Sequence, residues 1–376
     1  MKTPLLSIFI PTFNRVELLK ACLNSVFQQT FKNYEIILVN DCSTDGTEKF
    51  INSIKDPRVR KFNNKINLGS KFGDKIMFER FLYYQARGEY IAALCDDDYY
   101  YNKDILMKML NIMENNKSVS LSLAGVGQKY LKPFKKLFKP NAPYIKYKFV
   151  DKTKKIIFAK DIYPQGLINS HDFLKLFAHD VGNRNIGGGA AIYRRKNLIK
   201  ADLKKTKFIK RQMGWWYYIS SALQGNIYYF NEPGYISLIH ENTLSFAVTQ
   251  EEHYLDCLFS IEIAFKTKSK MINSIEIENF RNEILLAITV VYLSNKYGAK
   301  LGYFKRNPIG DINHLFRDEI SINKFFLIAK KFKINLQLRY KIAILFSGLP
   351  VFLIKVMHVI FIRFNGVFWW KNRVIY

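Results

Sequence analysis

Residues 96–98 are three consecutive carboxylates, Asp96, Asp97 and Asp98, placed directly after the apolar run Tyr90, Ile91, Ala92, Ala93, Leu94 and a single Cys95. Adjacent anions repel one another, and burying them unpaired is costly. Oxygen-rich sets of this kind are commonly relieved by a hard divalent cation, and Mg²⁺ typically takes one or two carboxylates together with substrate phosphates. The same three residues also suit a solvated acidic turn or a helix N-terminus, where Asp is favoured. Alone, the triplet leaves both readings open. Three further polar clusters carry groups suited to ligand binding: residues 11–15 (Pro11, Thr12, Phe13, Asn14, Arg15), residues 40–45 with Asp41 and Asp45, and residues 67–69 with Asn67.

The elements between these clusters decide where they lie. Residues 5–10 form a β-rich run, and Pro11 is expected to stop it. Apolar residues at 16, 19, 23, 26 and 27 have the spacing of an amphipathic helix. A second strand over 35–39 leads into a turn that doubles as a helix N-cap, with helix over 48–55. A short strand over 59–62, a helix over 74–86 and the acid-tipped strand from Tyr90 follow. Alternation of strand and helix predicts an α/β domain with a mostly parallel sheet. In such sheets ligands bind beyond the carboxyl ends of the strands, which is where all four polar clusters fall.

These motifs carry a resemblance. The series Ser7, Ile8, Phe9, Ile10, Pro11, Thr12, Phe13, Asn14, Arg15, then residues 36–47, then Asn67, Leu68, Gly69, then Gly88 through Asp98, is similar to family 2 glycosyltransferases of the GT-A fold over roughly the first hundred residues. The triple-Asp form resembles the subset that builds bacterial surface polysaccharides, including abequosyltransferase-like enzymes. The resemblance implies that Pro11, Thr12, Asn14, Arg15, Asp41, Asn67, Asp96 and Asp97 bind the nucleotide, with Asp41 accepting from the base imide N–H. It implies that Asp96 and Asp98 hold Mg²⁺ or Mn²⁺ on the diphosphate. It implies inverting transfer from a nucleotide-diphosphate sugar, with a UDP-sugar expected, to a glycan or lipid-linked glycan. Asp41 and Asp45 also suit turn or cap positions, and Asn67 a loop.

Later motifs follow the family less closely. Residues 186–195, with three glycines and the pair Arg194 and Arg195, resemble a strand that approaches the sugar, although the glycines also suit a plain turn. The helix, returning strand and histidine turn of the family correspond to residues 215–225, 227–233 and 240–245. In that frame the usual acidic pair falls on Met213 and Gly214, neither of which takes a proton. An inverting transfer needs a base within hydrogen-bond reach of the acceptor hydroxyl, so Asp180, His179, His240 and Glu241 become the candidates. Trp215 and Trp216 suit stacking on an acceptor sugar or packing in a core. The Lys- and aromatic-rich stretch 129–160 reads as a solvated insertion, an acceptor loop or a membrane-surface patch.

Composition bounds the rest. The chain has 376 residues, 49% hydrophobic and 15% aromatic, enough for a sizeable core. Its 58 Lys and Arg against 31 Asp and Glu leave +27, which points to an anionic partner. The four cysteines, Cys22, Cys42, Cys95 and Cys257, lack metal-finger spacing and read mostly as buried free thiols of a reducing compartment. The catalytic domain is expected over 1–248. A helical region follows over 249–376, with an amphipathic segment over about 336–376. The uninterrupted apolar piece 350–364 would reach only ~22 Å at ~1.5 Å per residue. With its polar stripe and terminal aromatic and basic anchors, it suits a helix lying on an anionic membrane surface, here the cytoplasmic face, ahead of a true span or a buried helix of a soluble subdomain.

Two rival classes fit part of this pattern. A nucleic-acid-binding protein would explain the charge, but no recognised binding motif is present and the acidic triplet would have no role; no nucleic-acid partner is expected. A nucleotidyltransferase acting on sugar phosphates would be expected to carry a Gly-rich phosphate loop after the first strand, and the loop here is Pro11, Thr12, Phe13, Asn14, Arg15.

Overall fold

Four strands dense in aliphatic residues make the parallel half of the sheet: β1 (Leu6–Thr12), β2 (Tyr34–Asn40), β3 (Val59–Asn63) and β4 (Tyr90–Ala93), in the spatial order β3-β2-β1-β4. The computed structural model describes residues 3–69, 74–131, 146–151, 156–160, 162–179, 188–200 and 213–240. All seven residues of β2 are buried, as expected for a parallel strand covered on both faces. Alternate side chains of β1 and β2 enter two separate cores. Leu6, Ile8, Ile10, Ile36 and Leu38 pack with Leu19, Leu23 and Val26 of α1 (Val16–Phe27). Phe9, Ile37 and Val39 face the opposite layer, built partly from α3 (Asp74–Met77), which runs on as a π-helical stretch over Phe78–Tyr83.

The other half of the sheet is mixed. After β5 (Tyr99–Tyr100) and α4 (Ile105–Asn115), the long β6 (Val119–Tyr130) runs parallel to β11 (Asn226–Ile239), and these two form the longest ladder. Between β4 and β6 lies β10 (Ala191–Arg194), antiparallel to both. The hairpin β7 (Lys146–Asp151) and β8 (Ile156–Lys160) pairs onto β6, while β9 (Gly166–Ile168) and β5 pair onto β11. Helices α2 (Thr47–Ser53), α5 (Ser170–His179), α6 (Arg195–Lys200) and α7 (Met213–Ala222) and a 3₁₀ turn over Gly188–Ala190 complete the described elements.

Several expectations change. Pro11 lies inside β1 opposite Val39 and does not end it, because proline fits an extended backbone and forfeits only its N–H. The stretch 129–160 is not simply a solvated insertion. Its described parts extend the sheet, and the Phe158 ring fills the space a Cβ on Gly125 would need. The thiols also differ: Cys22 is buried, Cys42 half-buried and Cys95 exposed, because Cys95 sits past the last residue of β4, where the sheet no longer covers it. Trp216 is wholly buried in the core, which favours packing over sugar stacking for that residue.

Arg194 is likewise structural. It pairs with Tyr90 at the start of β4, the edge opposite the acidic triplet. Its buried guanidinium donates to the Val119 carbonyl at 2.7 Å, the Asn116 carbonyl at 3.2 Å and the Tyr90 hydroxyl at 2.8 Å, and also to the Met113 carbonyl. Arg195 donates to the Ala86 carbonyl at 2.7 Å. An antiparallel strand carries its two ends to opposite edges of the sheet. Gly188 and Gly189, just before β10, therefore lie near the triplet, and the arginine pair does not.

Residues 249–376 lie outside the described residues, as do Asp180, Glu241, Cys257 and the expected membrane-surface segment over about 336–376. Among the described residues no helix is long and apolar enough to cross a membrane.

Candidate functional site

The carboxyl ends of β1, β2 and β4 place three of the polar clusters together. Asn14 and Cys42 adopt positive φ values of 52° and 68°, turning the chain sharply after β1 and β2. The two turns then interlock: the Asn14 N–H donates to Ser43 Oγ at 2.9 Å, and Asn14 Oδ1 accepts from the Thr44 N–H at 2.6 Å. Asp45 caps two helices, accepting from the Val16 N–H at 3.3 Å and the Thr47 N–H at 3.1 Å. Its cap role is the one the structure displays.

Asp41 is buried and holds a loop. Its Oδ1 accepts from Asn64 Nδ2 and the Leu68 N–H, both at 2.8 Å, and its Oδ2 from the Gly69 N–H at 2.8 Å. The expected acceptor for a base imide is thus occupied by its own 64–69 loop. Asn67 stands half-buried in that same loop.

Thr12 links the two sides. Its carbonyl accepts from the Asp41 N–H at 2.8 Å, and its hydroxyl donates to Asp96 Oδ2 at 2.7 Å. Arg15 Nη1 lies 2.9 Å from both Asp96 Oδ1 and Asp97 Oδ2, bridging the first two carboxylates. Burial pushes the Asp96 carboxyl above its ordinary range, opposed by Arg15 and reinforced by Asp97.

Asp98 faces elsewhere. It accepts from the Tyr235 hydroxyl and, at 2.9 Å, from the Leu238 N–H of β11. Burial and then the Asp97 charge push its carboxyl up to about 8, against those hydrogen bonds and one from Ser237. His240, buried at the end of β11, brings Nε2 to 3.1 Å from Asp97 Oδ2. Of the four residues expected as candidate base, His240 therefore lies in the cluster, and Asp180 and Glu241 lie outside the described residues. His179 ends α5.

The pair expected to hold a cation, Asp96 and Asp98, is not the pair the structure brings together. A turn closed by the Asp98 N–H on the Cys95 carbonyl at 3.1 Å sends successive side chains in different directions. Asp96 goes to Thr12 and Arg15. Asp97, Asp98 and Cys95 converge, with ligand atoms all within 4.8 Å of one another. Two buried carboxylates, one forced toward protonation, fit the demand for a divalent cation. Tyr235 and Cys95 were not legible as site residues, since one sits in an aromatic run and the other before a louder acidic signal.

Residues 7–198, just over half of the chain, match the model of glycosyl transferase family 2. The chain belongs to glycosyl transferase family 2. Among curated relatives, it is 37% identical over 99 residues to WcaA of Escherichia coli, named as a colanic acid biosynthesis glycosyl transferase, a match over 25% of this chain and 33% of that protein. It is 35% identical over 113 residues to WfaP of Escherichia coli, a UDP-Glc:alpha-D-GlcNAc-diphosphoundecaprenol beta-1,3-glucosyltransferase, over 30% of this chain and 43% of that one. The chain thus spans a third to a half of the length of these relatives. The crystal structure of S. aureus TarS in complex with UDP-GlcNAc superimposes with a TM-score of 0.52 at 17% identity, covering 74% of this chain and 71% of that one. At that identity the likeness bears on the fold, and the fold is GT-A-like.

Proposed function

We propose that this family 2 glycosyltransferase chain moves a sugar, with inversion, from a nucleotide diphosphate to a saccharide acceptor in cell-surface polysaccharide synthesis. The observation that carries the reading is the Thr12 bridge, which ties Asp41 to Asp96 through one residue. It puts the loop that would surround a nucleoside next to carboxylates that would face a diphosphate. The nucleotide named for the TarS complex and the donor named for WfaP favour a UDP-sugar.

In this reading residues 11–15 and the Asp41-anchored loop with Asn67 cradle the nucleoside. Asp96, held by Thr12 and Arg15, presents its edge to the ribose. Arg15 also offsets the charge of a departing nucleoside diphosphate. Asp98 and Asp97 hold Mg²⁺ or Mn²⁺; when bound, the ion supplies positive charge where the leaving diphosphate accumulates negative charge. His240 or Asp180 takes the acceptor proton. The acceptor is a glycan or lipid-linked glycan, approached from the cytoplasmic membrane face by a surface on which each Lys or Arg contributes ~1 kcal/mol toward anionic lipid.

Incubating the full chain with a panel of nucleotide sugars, with and without a chelator, tests the reading. Release of nucleoside diphosphate that needs Mg²⁺ or Mn²⁺ and disappears in Asp98→Ala is expected. Release of pyrophosphate from a nucleoside triphosphate and a sugar phosphate would instead assign a nucleotidyltransferase.

A further inference from the structure

A cavity lies on the edge of the sheet opposite the acidic triplet. The chain enters β1 after Leu5, β2 after Asn33 and β4 after Glu89, and it leaves β10 into Arg195; these residues, with Arg87 and Lys196, line a space of about 500 Å³. Backbone hydrogen bonds hold the walls. The Leu5 N–H donates to the Asn33 carbonyl at 3.0 Å, the Tyr90 N–H to the Leu5 carbonyl at 3.0 Å, and the Arg195 N–H to the Glu89 carbonyl at 2.9 Å. A Cβ on Gly88 would stand 2.7 Å from the Ser7 nitrogen, so the turn carrying Arg87 and Glu89 is pressed against β1. The length of β1 separates this cavity from the triplet, roughly 20 Å at ~3.3 Å per residue.

The charges in the cavity do not cancel. Among the described residues, the exposed side chains of Arg87 and Lys196 make no ion pair or hydrogen bond, and Arg195 uses only Nη1, donating to the Ala86 carbonyl at 2.7 Å. That bond fixes the half-buried guanidinium and leaves its other N–H donors unused. Glu89 is the one carboxylate among the described lining residues, and the buried Arg194 guanidinium already stands 3.7 Å from it. By contrast Arg15, Arg58 and Arg60 each meet a carboxylate within 3.0 Å. Three cations gathered in a concave wall focus a field that attracts an anion.

We propose that this cavity binds a phosphoryl group carried on a polyol, at a site separate from the one that would hold the nucleotide. A guanidinium held by a backbone carbonyl suits bidentate contact with phosphate oxygens, while Lys196 adds a point charge and Arg87 a second planar fork. The volume falls in the range of about 300–1,000 Å³ that accepts small organic ligands, so the phosphate comes with an organic body. Thr3 and Asn33 in the lining supply neutral polar groups suited to hydroxyls. A free glycerol or sugar phosphate and the headgroup of an anionic glycerophospholipid both present this chemistry.

The full chain is titrated with glycerol phosphate by calorimetry at fixed ionic strength. In a second arm it is sedimented with vesicles of phosphatidylglycerol and phosphatidylcholine in equal parts, against phosphatidylcholine alone. Saturable binding is expected in at least one arm. Combining Arg87→Gln with Lys196→Gln should weaken it by about tenfold or more, because each change removes a charge-assisted contact. Lys49→Gln removes an exposed charge on α2, outside the cavity, and should stay within about twofold of the wild type. Binding of glycerol phosphate assigns a soluble phosphorylated ligand, and binding to the anionic vesicles alone assigns a lipid headgroup. No saturable binding tighter than about 1 mM in either arm, binding that the cavity pair leaves unchanged, or equal weakening by Lys49→Gln overturns the site. None of these results bears on the transfer reaction proposed above.

Discussion

The Thr12 hydroxyl donates to Asp96 across 84 residues of sequence, joining the end of β1 to the acidic turn after β4. Both partners are buried. Thr12→Val keeps the shape and removes the donor, leaving one lone-pair side of a buried carboxylate unmet. A loss of about 1–3 kcal/mol is expected in denaturant unfolding, the ordinary cost of an unsatisfied buried polar group. Thr12→Ser should recover most of it. A Thr12→Val protein as stable as the wild type, or a larger loss in Thr12→Ser than in Thr12→Val, would mean that the methyl group, not the hydrogen bond, matters.

The Asp41 carboxylate anchors three donors of the 64–69 loop. Asp41→Ala should free that loop: amide exchange at Leu68 and Gly69 is expected to quicken by at least tenfold while the amides of β2 stay protected. Unchanged protection at Leu68 and Gly69 would show that the loop is held elsewhere.

Gly189 leaves room for the ring that reaches Asp98. A Cβ there would stand 2.6 Å from Leu94 Cδ1 and closer still to the Tyr235 ring. Both neighbours are buried, so neither has free space to move into. Gly189→Ala should cost about 1–3 kcal/mol by overpacking and displace the Tyr235 hydroxyl from Asp98. Tyr235→Phe, which removes only the hydroxyl, isolates the second effect; thermal melts of both variants separate the two contributions.

Arg194 should matter to folding and not to sugar specificity. Its guanidinium serves buried carbonyls at the edge away from the triplet. Arg194→Met removes the charge and orphans those acceptors, with a loss of about 1–3 kcal/mol for each buried acceptor left unmet. Soluble, stable Arg194→Met protein with altered donor preference would return this residue to the binding site.

Asp98 sets a pH dependence for the chelated protein. Its folded-state carboxyl is raised to about 8 from an ordinary 3.8. The folded state thus holds a proton that the unfolded chain has released. Between about pH 4 and pH 8 the unfolded state binds fewer protons, so stability falls as pH rises. Denaturant midpoints in excess chelator should decline across that window, and Asp98→Asn should flatten the decline. A slope unaffected by the substitution would place the titration on another group.

The sequence by itself determined the parallel half of the fold. Strand and helix periodicities in residues 5–94 are local, and turn-forming residues such as Asn14, Asp41 and Asn64 punctuate them. The side on which the polar clusters gather followed too, because parallel strands with helical crossovers all end on one edge. What only the tertiary structure decided was which carboxylate meets which partner. Asp96, Asp97 and Asp98 are identical in chemistry and adjacent in sequence, so no pattern of residue types separates them. A turn of four residues, together with Thr12 of β1 and Arg15 just after it, and with Tyr235 and Leu238 of β11 and His240 just after it, does. Those partners come from more than 80 residues before and about 140 after, and contacts at such separation are set by sheet order, which periodicity does not encode. For the same reason Arg194, which resembled a site residue from its neighbours in the chain, belongs to the opposite edge.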